Sequence, residues 1–176
     1  MRRVPPQTLP QAGSRSSDHE VRTNPVVSLW RRISRVPLVG PWLFSTLFAI
    51  KTPFAAAIKP RFVSVEPHRV ALRVANRRRV RNHLGNVHAT ALCTGLETAA
   101  GTLAEATVPP TMRWIPRRMQ VEYTSMARGP VTCTAETSPD AWIDSDPEVH
   151  VAVRGVLDDG TMVIAGVVTL WVTSRP

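Results

Sequence analysis

The chain has 176 residues, which suits one domain with a modest tail, and 43% of them are apolar, as in an ordinary soluble protein. The net charge is +9, yet residues 1–60 account for +7 of it and residues 61–176 for only +2. The larger part of the chain is therefore nearly neutral. It also has no helix-turn-helix, zinc or aromatic-interleaved pattern, so no nucleic-acid partner is expected.

The two cysteines, Cys93 and Cys133, are too few for a disulfide framework or a zinc site. We expect reduced thiols in a cytoplasmic protein, with Cys93 on a helix and Cys133 on a strand. No metal and no cofactor is predicted. The longest apolar stretch, Val36–Ile50, is interrupted by prolines and is shorter than the roughly 20 residues that a membrane-spanning helix needs.

The N-terminal third divides into a basic tail and a helical segment. Residues 1–24 are rich in Arg, Ser and Pro and poor in large apolar groups, so we predict that they are disordered. In residues 25–60, apolar side chains recur at helical spacing over 26–35 and again over 41–50. A third turn or short helix, over 54–59, is bracketed by prolines.

Residues 61–176 are predicted to form one α+β domain. Polar and apolar residues alternate over 61–66 and 69–75, with a turn between the two runs, which is typical of a hairpin. The stretch 87–105 has no proline and, counting His88 as neutral, only one charged side chain before its last residue, that of Glu97. This composition predicts a helix that is buried nearly all round.

Four further strands are expected after this helix, over residues 113–125, 131–137, 148–157 and 162–173. Runs of strands on either side of one helix favour an antiparallel sheet packed around that helix. Small residues on the helix would let the backbone of the sheet approach closely. They are Gly95, Ala99, Ala100 and Gly101.

The start of this helix carries a functional pattern. It reads Asn-His-Leu-Gly-Asn-Val-His-Ala from Asn82 to Ala89, and Glu97 follows nine residues after His88. The stretch resembles the active-site region of hotdog-fold acyl-CoA thioesterases of the phenylacetic-acid-degradation type, and the resemblance covers residues 26–173. It is similar above all to a bacterial branch with the segment Asn-His-x-Gly-x-x-His-Ala and a Glu as the acid. The resemblance implies the hotdog fold, in which an antiparallel sheet wraps around one central helix.

The resemblance also implies a role for each residue of the motif. The backbone N–H of Ala89 would polarise the thioester carbonyl, and Glu97 would act as general base on water or as nucleophile. Asn82 would orient the water or the thioester, and His88 would fix the loop or the thiol end of pantetheine. From the residues alone, Asn82 also fits a turn or helix cap, and His88 a satisfied buried histidine. An unpaired carboxylate is costly to bury, which favours a site role for Glu97.

A CoA ligand brings phosphate groups, which arginine recognises well. The candidate CoA contacts are therefore the motif glycine and the arginines that precede the motif or open the next strand. They are Gly85, Arg79, Arg81, Arg117 and Arg118. A solvated or interface-lining basic turn explains the arginines equally well.

The resemblance implies an acyl-CoA or related thioester as substrate, and a homodimer or a tetramer made of dimers. The sequence departs from the classical family at Ala89 and Thr90, where glycines are usual, and this leaves a non-catalytic acyl-CoA- or lipid-binding protein as the alternative. The segment Val36–Ile58 is expected to pack over the sheet or to cover the acyl tunnel. Peripheral contact with a membrane surface, through Trp30, Trp42 and neighbouring arginines, is its alternative role.

Overall fold

The computed structural model describes residues 24–142 and 147–175. The basic tail predicted over residues 1–24 lies outside the described residues, except for Asn24. Three helices open the described chain, namely α1 (Pro25–Ile33), α2 (Val39–Lys51) and the short α3 (Pro53–Ala56). The side-chain oxygen of Asn24 accepts hydrogen bonds from the N–H groups of the first turn and so caps α1.

The remaining elements are one antiparallel sheet and one long helix, α4 (Ala89–Thr107). The strands are β1 (Arg61–Glu66), β2 (Arg69–Val74), β3 (Met112–Tyr123), β4 (Val131–Glu136), β5 (Glu148–Leu157) and β6 (Met162–Ser174). They lie in the order β1-β2-β4-β5-β6-β3, and every neighbouring pair is antiparallel. Helix α4 packs on this sheet, so the predicted α+β architecture is confirmed.

The predicted boundary of the long helix differs from the observed one for a local reason. Helix α4 begins two residues later than predicted, at Ala89. Val87 instead pairs with Arg81 in an isolated β-bridge, and the backbone of His88 is extended. These contacts close the loop before the helix starts.

Strand β3 is a long edge strand of 12 residues. It pairs with β6 on one side, and its register shifts at a bulge between Pro116 and Arg118. A proline has no N–H to donate to a ladder, so its place in this strand is compatible with an edge and a bulge. Within the described residues, the other side of β3 has no partner strand.

Two glycines of α4 allow its close packing. A Cβ atom on Gly95 would lie 2.8 Å from the Sγ of Cys133 and 2.9 Å from a methyl group of Val74. A Cβ atom on Gly101 would lie 2.9 Å from the ring of Trp114. Small residues are therefore needed on α4, as predicted, but the groups that approach these two glycines are side chains rather than backbone.

The N-terminal helices are attached to β1 by aromatic packing. The ring of Phe44 on α2 makes edge-to-face contacts with Trp30 of α1 and with Phe62 of β1, with centroids 5.1 Å apart in each pair. The hydroxyl of Ser45 accepts a hydrogen bond of 3.0 Å from the N–H of Phe62. The prediction that the segment Val36–Ile58 packs on the domain is confirmed.

Both cysteines are free, with Cys93 half-buried on α4 and Cys133 buried on β4. Burial, with a smaller contribution from the charge of Cys93, raises the pKa of Cys133 to about 12. The Cys133 thiol therefore stays protonated and packs as a small apolar group. No helix within the described residues is both long and apolar enough to cross a bilayer.

Candidate functional site

The loop before α4 is held by Asn82. Its Oδ1 atom accepts hydrogen bonds from the N–H groups of Leu84 (3.0 Å) and Asn86 (3.1 Å). Gly85 has a φ of +78°, in the region that favours glycine. Asn82 thus acts as the turn residue that its alternative interpretation describes, while its side-chain N–H groups have no partner among the residues that the structure describes.

His88 caps the N-terminus of α4. Its Nδ1 atom lies 3.2 Å from the backbone N of Thr90 and 2.8 Å from the hydroxyl of the same residue. A backbone N–H can only donate, so Nδ1 is the acceptor and the ring proton of the neutral imidazole is on Nε2. His88 is exposed rather than buried, which rules out the buried-histidine interpretation. The Nε2–H group of His88 donates no hydrogen bond to another described residue.

The first turn of α4 leaves one N–H group unused. The N–H of Thr90 donates to the His88 ring, and those of Ala91 and Leu92 donate to the His88 carbonyl. The N–H of Ala89 makes no hydrogen bond within the described part of the chain. It lies at the positive end of the helix dipole, where an oxyanion is stabilised.

Glu97 lies two turns further along α4 and is exposed. The prediction of a helix buried nearly all round is therefore wrong on one face, which runs from Thr94 through Glu97 to Gly101 and Glu105. The sheet covers the opposite side, while α1–α3 leave a space above this face. Within the described residues, no hydrogen bond or ion pair holds the Glu97 carboxylate, so it is free to bind water.

The space above Glu97 is a cavity of about 970 Å³ between the N-terminal helices and α4. Its walls are mainly apolar and include Leu29, Phe44, Leu47, Phe48, Phe54 and Leu170. Two carboxylates, those of Glu97 and Glu105, lie on its α4 side. One oxygen of Glu105 accepts a hydrogen bond of 3.0 Å from the indole of Trp114, so Glu97 is the unpaired carboxylate of the two.

A second cavity, of about 280 Å³, lies at the N-terminus of α4 and is lined by His88, Arg79 and Arg81. Phe54 and Thr94 line both cavities, so the two adjoin. Arg81 is held in place by two hydrogen bonds to Asn76, of 2.7 and 3.0 Å. Arg79 is exposed and has no partner among the described residues, which leaves its guanidinium free for an anion.

Arg117 and Arg118 lie on β3, and the structure brings neither of them to these two cavities. Arg117 forms a salt bridge of 2.9 Å with Glu148, and its guanidinium lies 4.4 Å from the centre of the Trp171 ring. The four motif residues Asn82, His88, Ala89 and Glu97 are instead placed along one loop and the first three turns of α4.

Sequence reasoning missed two features of this region. The Sγ of Cys93 and the Oη of Tyr123 are hydrogen-bonded at 3.0 Å, and Thr94 lies between the two cavities. Polar and small residues recur at intervals of three and four along α4, and this spacing could have predicted its open face. Among the described residues, no group of His, Cys, Asp or Glu side chains is arranged to hold a metal ion.

The comparisons with known proteins identify a family and a fold. A family model, the domain of unknown function DUF4442, matches residues 40–172. A solved structural-genomics protein, APC5556, is 35% identical over 85% of this chain and 99% of its own, with a TM-score of 0.75. No curated protein matches the sequence.

Two further solved structures are more distant in sequence. PA5026 from Pseudomonas aeruginosa, described as a protein of unknown function and probable thioesterase, is 19% identical over 74% of this chain and 93% of its own, with a TM-score of 0.67. A thioesterase family protein from Silicibacter pomeroyi is 18% identical over 74% of this chain and 96% of its own, with a TM-score of 0.63. At these identities the structures establish the fold, which is the predicted hotdog fold.

Proposed function

Because the chain belongs to the DUF4442 family and has the hotdog fold of solved thioesterases, we propose that it hydrolyses acyl-CoA thioesters. The observation that carries this proposal is the position of Glu97. Its unpaired carboxylate lies on the wall of an apolar cavity of about 970 Å³. An apolar cavity with a few polar groups is typical of a small-molecule site.

The large cavity suits the acyl group of such a substrate. An acyl chain has no hydrogen-bonding groups beyond its carbonyl, and burial of its methylenes is favourable by about 0.8 kcal/mol each. A chain of sixteen carbons, at about 30 Å³ for each carbon, the volume of a water molecule in the liquid, fills roughly half of the cavity. The N-terminal helices provide much of the apolar wall, so they are expected to set the chain length.

The N-terminus of α4 suits the thioester carbonyl. The free N–H of Ala89 would donate to the carbonyl oxygen, and it would stabilise the negative charge that develops there when the carbonyl carbon is attacked. The Nε2–H of His88 is a second donor at the same helix end, and it suits the thiol end of pantetheine. The side-chain N–H groups of Asn82 are available to orient the water or the thioester.

Glu97 is proposed to activate the water. As general base, its carboxylate takes a proton from water while the water oxygen bonds to the carbonyl carbon. The resulting tetrahedral intermediate breaks its C–S bond, the CoA sulfur leaves with a proton, and the acyl group departs as a carboxylic acid. As nucleophile, the Glu97 carboxylate would instead attack the carbonyl carbon, the C–S bond would break with CoA leaving as a thiolate that takes up a proton, and water would then hydrolyse the acyl-enzyme anhydride to the carboxylic acid and free Glu97.

The CoA phosphates are proposed to bind at the smaller cavity. Arg79 has a free guanidinium there, and Arg81 is held in a fixed orientation by Asn76. Arginine is well suited to phosphate because its planar group donates two parallel hydrogen bonds. Gly85 keeps the neighbouring loop in its turn. Arg117 and Arg118 would contact CoA only if they belong to the partner chain of a dimer, or if they bind a part of the ligand away from the smaller cavity.

A homodimer that pairs its β3 strands would complete the site. Among the described residues, strand β3 has a free edge of 12 residues, and long free edges are usually covered. Eight residues of helix, at about 1.5 Å each, separate Ala89 from Glu97 by roughly 12 Å along the axis. This separation favours Ala89 of one chain acting with Glu97 of the partner. Glu97 lines the large cavity, whereas Ala89 does not.

The deciding experiment is the release of thiol from acyl-CoAs of graded chain length. Wild type is compared with Glu97→Gln, which keeps the size of the side chain but removes its basicity. We expect release from long-chain substrates and a fall in kcat of at least a hundredfold in the variant, in line with the usual contribution of a general base. The matched control is Glu66→Gln on β1, an exposed carboxylate that lines neither cavity.

Two results would redirect the proposal. Acyl-CoA that raises the melting temperature without any thiol release would make the protein an acyl-CoA-binding protein, with the methyl group of Ala89 as the first suspected obstacle. Release that is equal in wild type and Glu97→Gln would remove Glu97 from the mechanism.

A further inference from the structure

Helix α2 is apolar on two opposite faces, and the described part of the chain covers only one of them. The inner face carries Phe44 and Ser45, which are buried against α1 and β1. The outer face carries Val39, Trp42 and Leu43, and all three are exposed. Their spacing of three and four residues places them on one side of the helix. A helix that is apolar all round is usually covered on both sides.

The turn between α1 and α2 extends this outer face. Leu38 is 89% exposed, and its backbone has a φ of 64°, which L-residues with bulky side chains rarely adopt. Val36, two residues earlier, is also exposed. The strained backbone and the exposure of the leucine side chain to water each cost free energy. Backbone strain of this kind is typical of functional sites.

Three basic residues immediately precede this apolar face in the chain. Arg31, Arg32 and Arg35 lie at the end of α1 and in the turn, and all three are exposed. Residues 25–60 contain no Asp or Glu. Within the described residues, none of these three arginines has an acidic partner. The face therefore combines exposed apolar side chains with uncompensated positive charge.

We propose that the face formed by Val36, Leu38, Val39, Trp42 and Leu43, with Arg31, Arg32 and Arg35 beside it, docks on the surface of an anionic lipid bilayer. The apolar side chains enter the boundary between headgroups and acyl chains, with the tryptophan at the level where this residue is favoured. The arginines contact the anionic headgroups. Charge complementarity selects this occupant, since a face without any acid repels basic surfaces.

The same helix links this face to the large cavity. Ile50 at the end of α2 and Phe54 on α3 are 72% and 79% exposed, and both line that cavity. A bilayer in contact with the outer face of α2 would therefore lie close to the cavity wall. The proposal of docking is argued from the residues of the face alone, and it does not depend on the proposed hydrolysis.

The test is flotation of the full chain with vesicles of phosphatidylcholine, with or without phosphatidylglycerol. We expect wild type to bind the anionic vesicles, to bind pure phosphatidylcholine weakly, and to be released by high salt. The double variant Leu38→Asn/Trp42→Gln should lose at least tenfold in partition. The double variant Arg32→Gln/Arg35→Gln should lose about 25-fold on anionic vesicles, because each basic residue near such a surface contributes about a factor of five.

The matched controls are Val63→Thr, an exposed apolar residue of β1, and Arg175→Gln at the end of the chain. Both should bind like wild type. A second measurement compares wild type with Trp42→Phe: brominated lipid should quench the tryptophan fluorescence of wild type more strongly than that of the variant. The proposal is overturned if wild type ignores anionic vesicles, or if the face variants bind as well as the controls. It is also overturned if only removal of residues 1–23 abolishes binding, or if the face variants change the oligomeric mass instead.

Discussion

The Sγ atom of Cys93 lies 3.0 Å from the Oη atom of Tyr123, and this hydrogen bond joins the beginning of α4 to the end of the edge strand β3. It lies one helical turn before Glu97. Any movement of β3 relative to the face that carries Glu97 must therefore stretch or break it.

This contact predicts an unusual titration of Tyr123. The hydrogen bond to Cys93, followed by partial burial and the charge of Cys93, raises the pKa of Tyr123 to about 12. Tyr123 is the single tyrosine of the sequence, so absorbance at alkaline pH reports on it alone. We expect a midpoint near 12 in wild type and a lower one, toward the ordinary value of about 10, in Cys93→Ala.

The same shift predicts a dependence of stability on pH. The folded state holds the phenolic proton more tightly than the unfolded state, so the stabilisation is fully present below the unfolded pKa of about 10. It is lost as pH rises through the folded pKa of about 12. The free energy of unfolding of Cys93→Ala should fall less steeply than that of wild type over this window. Equal midpoints in the two proteins would contradict the contact.

His88→Ala should destabilise the fold by about 1 kcal/mol, because the cap of α4 is lost. His88→Ser restores a cap acceptor but not the imidazole. We therefore expect urea denaturation to show near-wild-type stability for the serine variant only. If the Nε2–H of His88 contacts the substrate, both variants should lose activity alike, whereas a purely structural role predicts that the serine variant is active.

Leu47→Trp should shorten the preferred acyl chain. Leu47 lines the large cavity, and a larger side chain there occupies space that long chains need. A chain that no longer fits loses roughly tenfold or more in kcat/KM, since each misfitting methylene is worth about 1–3 kcal/mol. Leu43→Trp is the matched control, because Leu43 and Leu47 are 39% and 40% exposed on the same helix and Leu43 lines no part of this cavity.

Substitution of Ala89 by proline removes one N–H group and little else. Ala89 is the first residue of α4, where proline is favoured, and His88 already has the extended backbone that precedes proline. We expect Ala89→Pro to fold normally and to lose activity, and Ala89→Gly to stay active because it keeps the N–H. An active proline variant would show that this N–H does not polarise the carbonyl.

Mixed dimers test whether two chains share a site. Light scattering should first give twice the 19.4 kDa mass of one chain. Co-expressed Ala89→Pro and Glu97→Gln chains should then recover about a quarter of wild-type activity, since half of the dimers are mixed and each has one intact site out of two. A monomeric mass, or no recovery in the mixed dimer, would place Ala89 and Glu97 of the same chain in one site.

Much of this architecture can be predicted from the sequence because it follows from local patterns of residues. Alternation of polar and apolar residues is a property of each strand, and the charge-poor stretch around Glu97 is a property of the helix itself. Turn chemistry separates the strands. These signals required no knowledge of the fold, and they placed the sheet, α4 and the loop at Asn82 within a few residues of their observed positions.

The tertiary structure alone decided which face of α4 is open. Periodicity shows which residues share a face of a helix, but whether that face is covered depends on how far β3 and the N-terminal helices extend over it. Those distances arise from contacts between different helices and strands, such as Phe44 with Phe62 and Trp114 with Glu105. The tertiary structure likewise distinguishes Arg79, which lines a cavity, from Arg117, which lines neither cavity and pairs with Glu148.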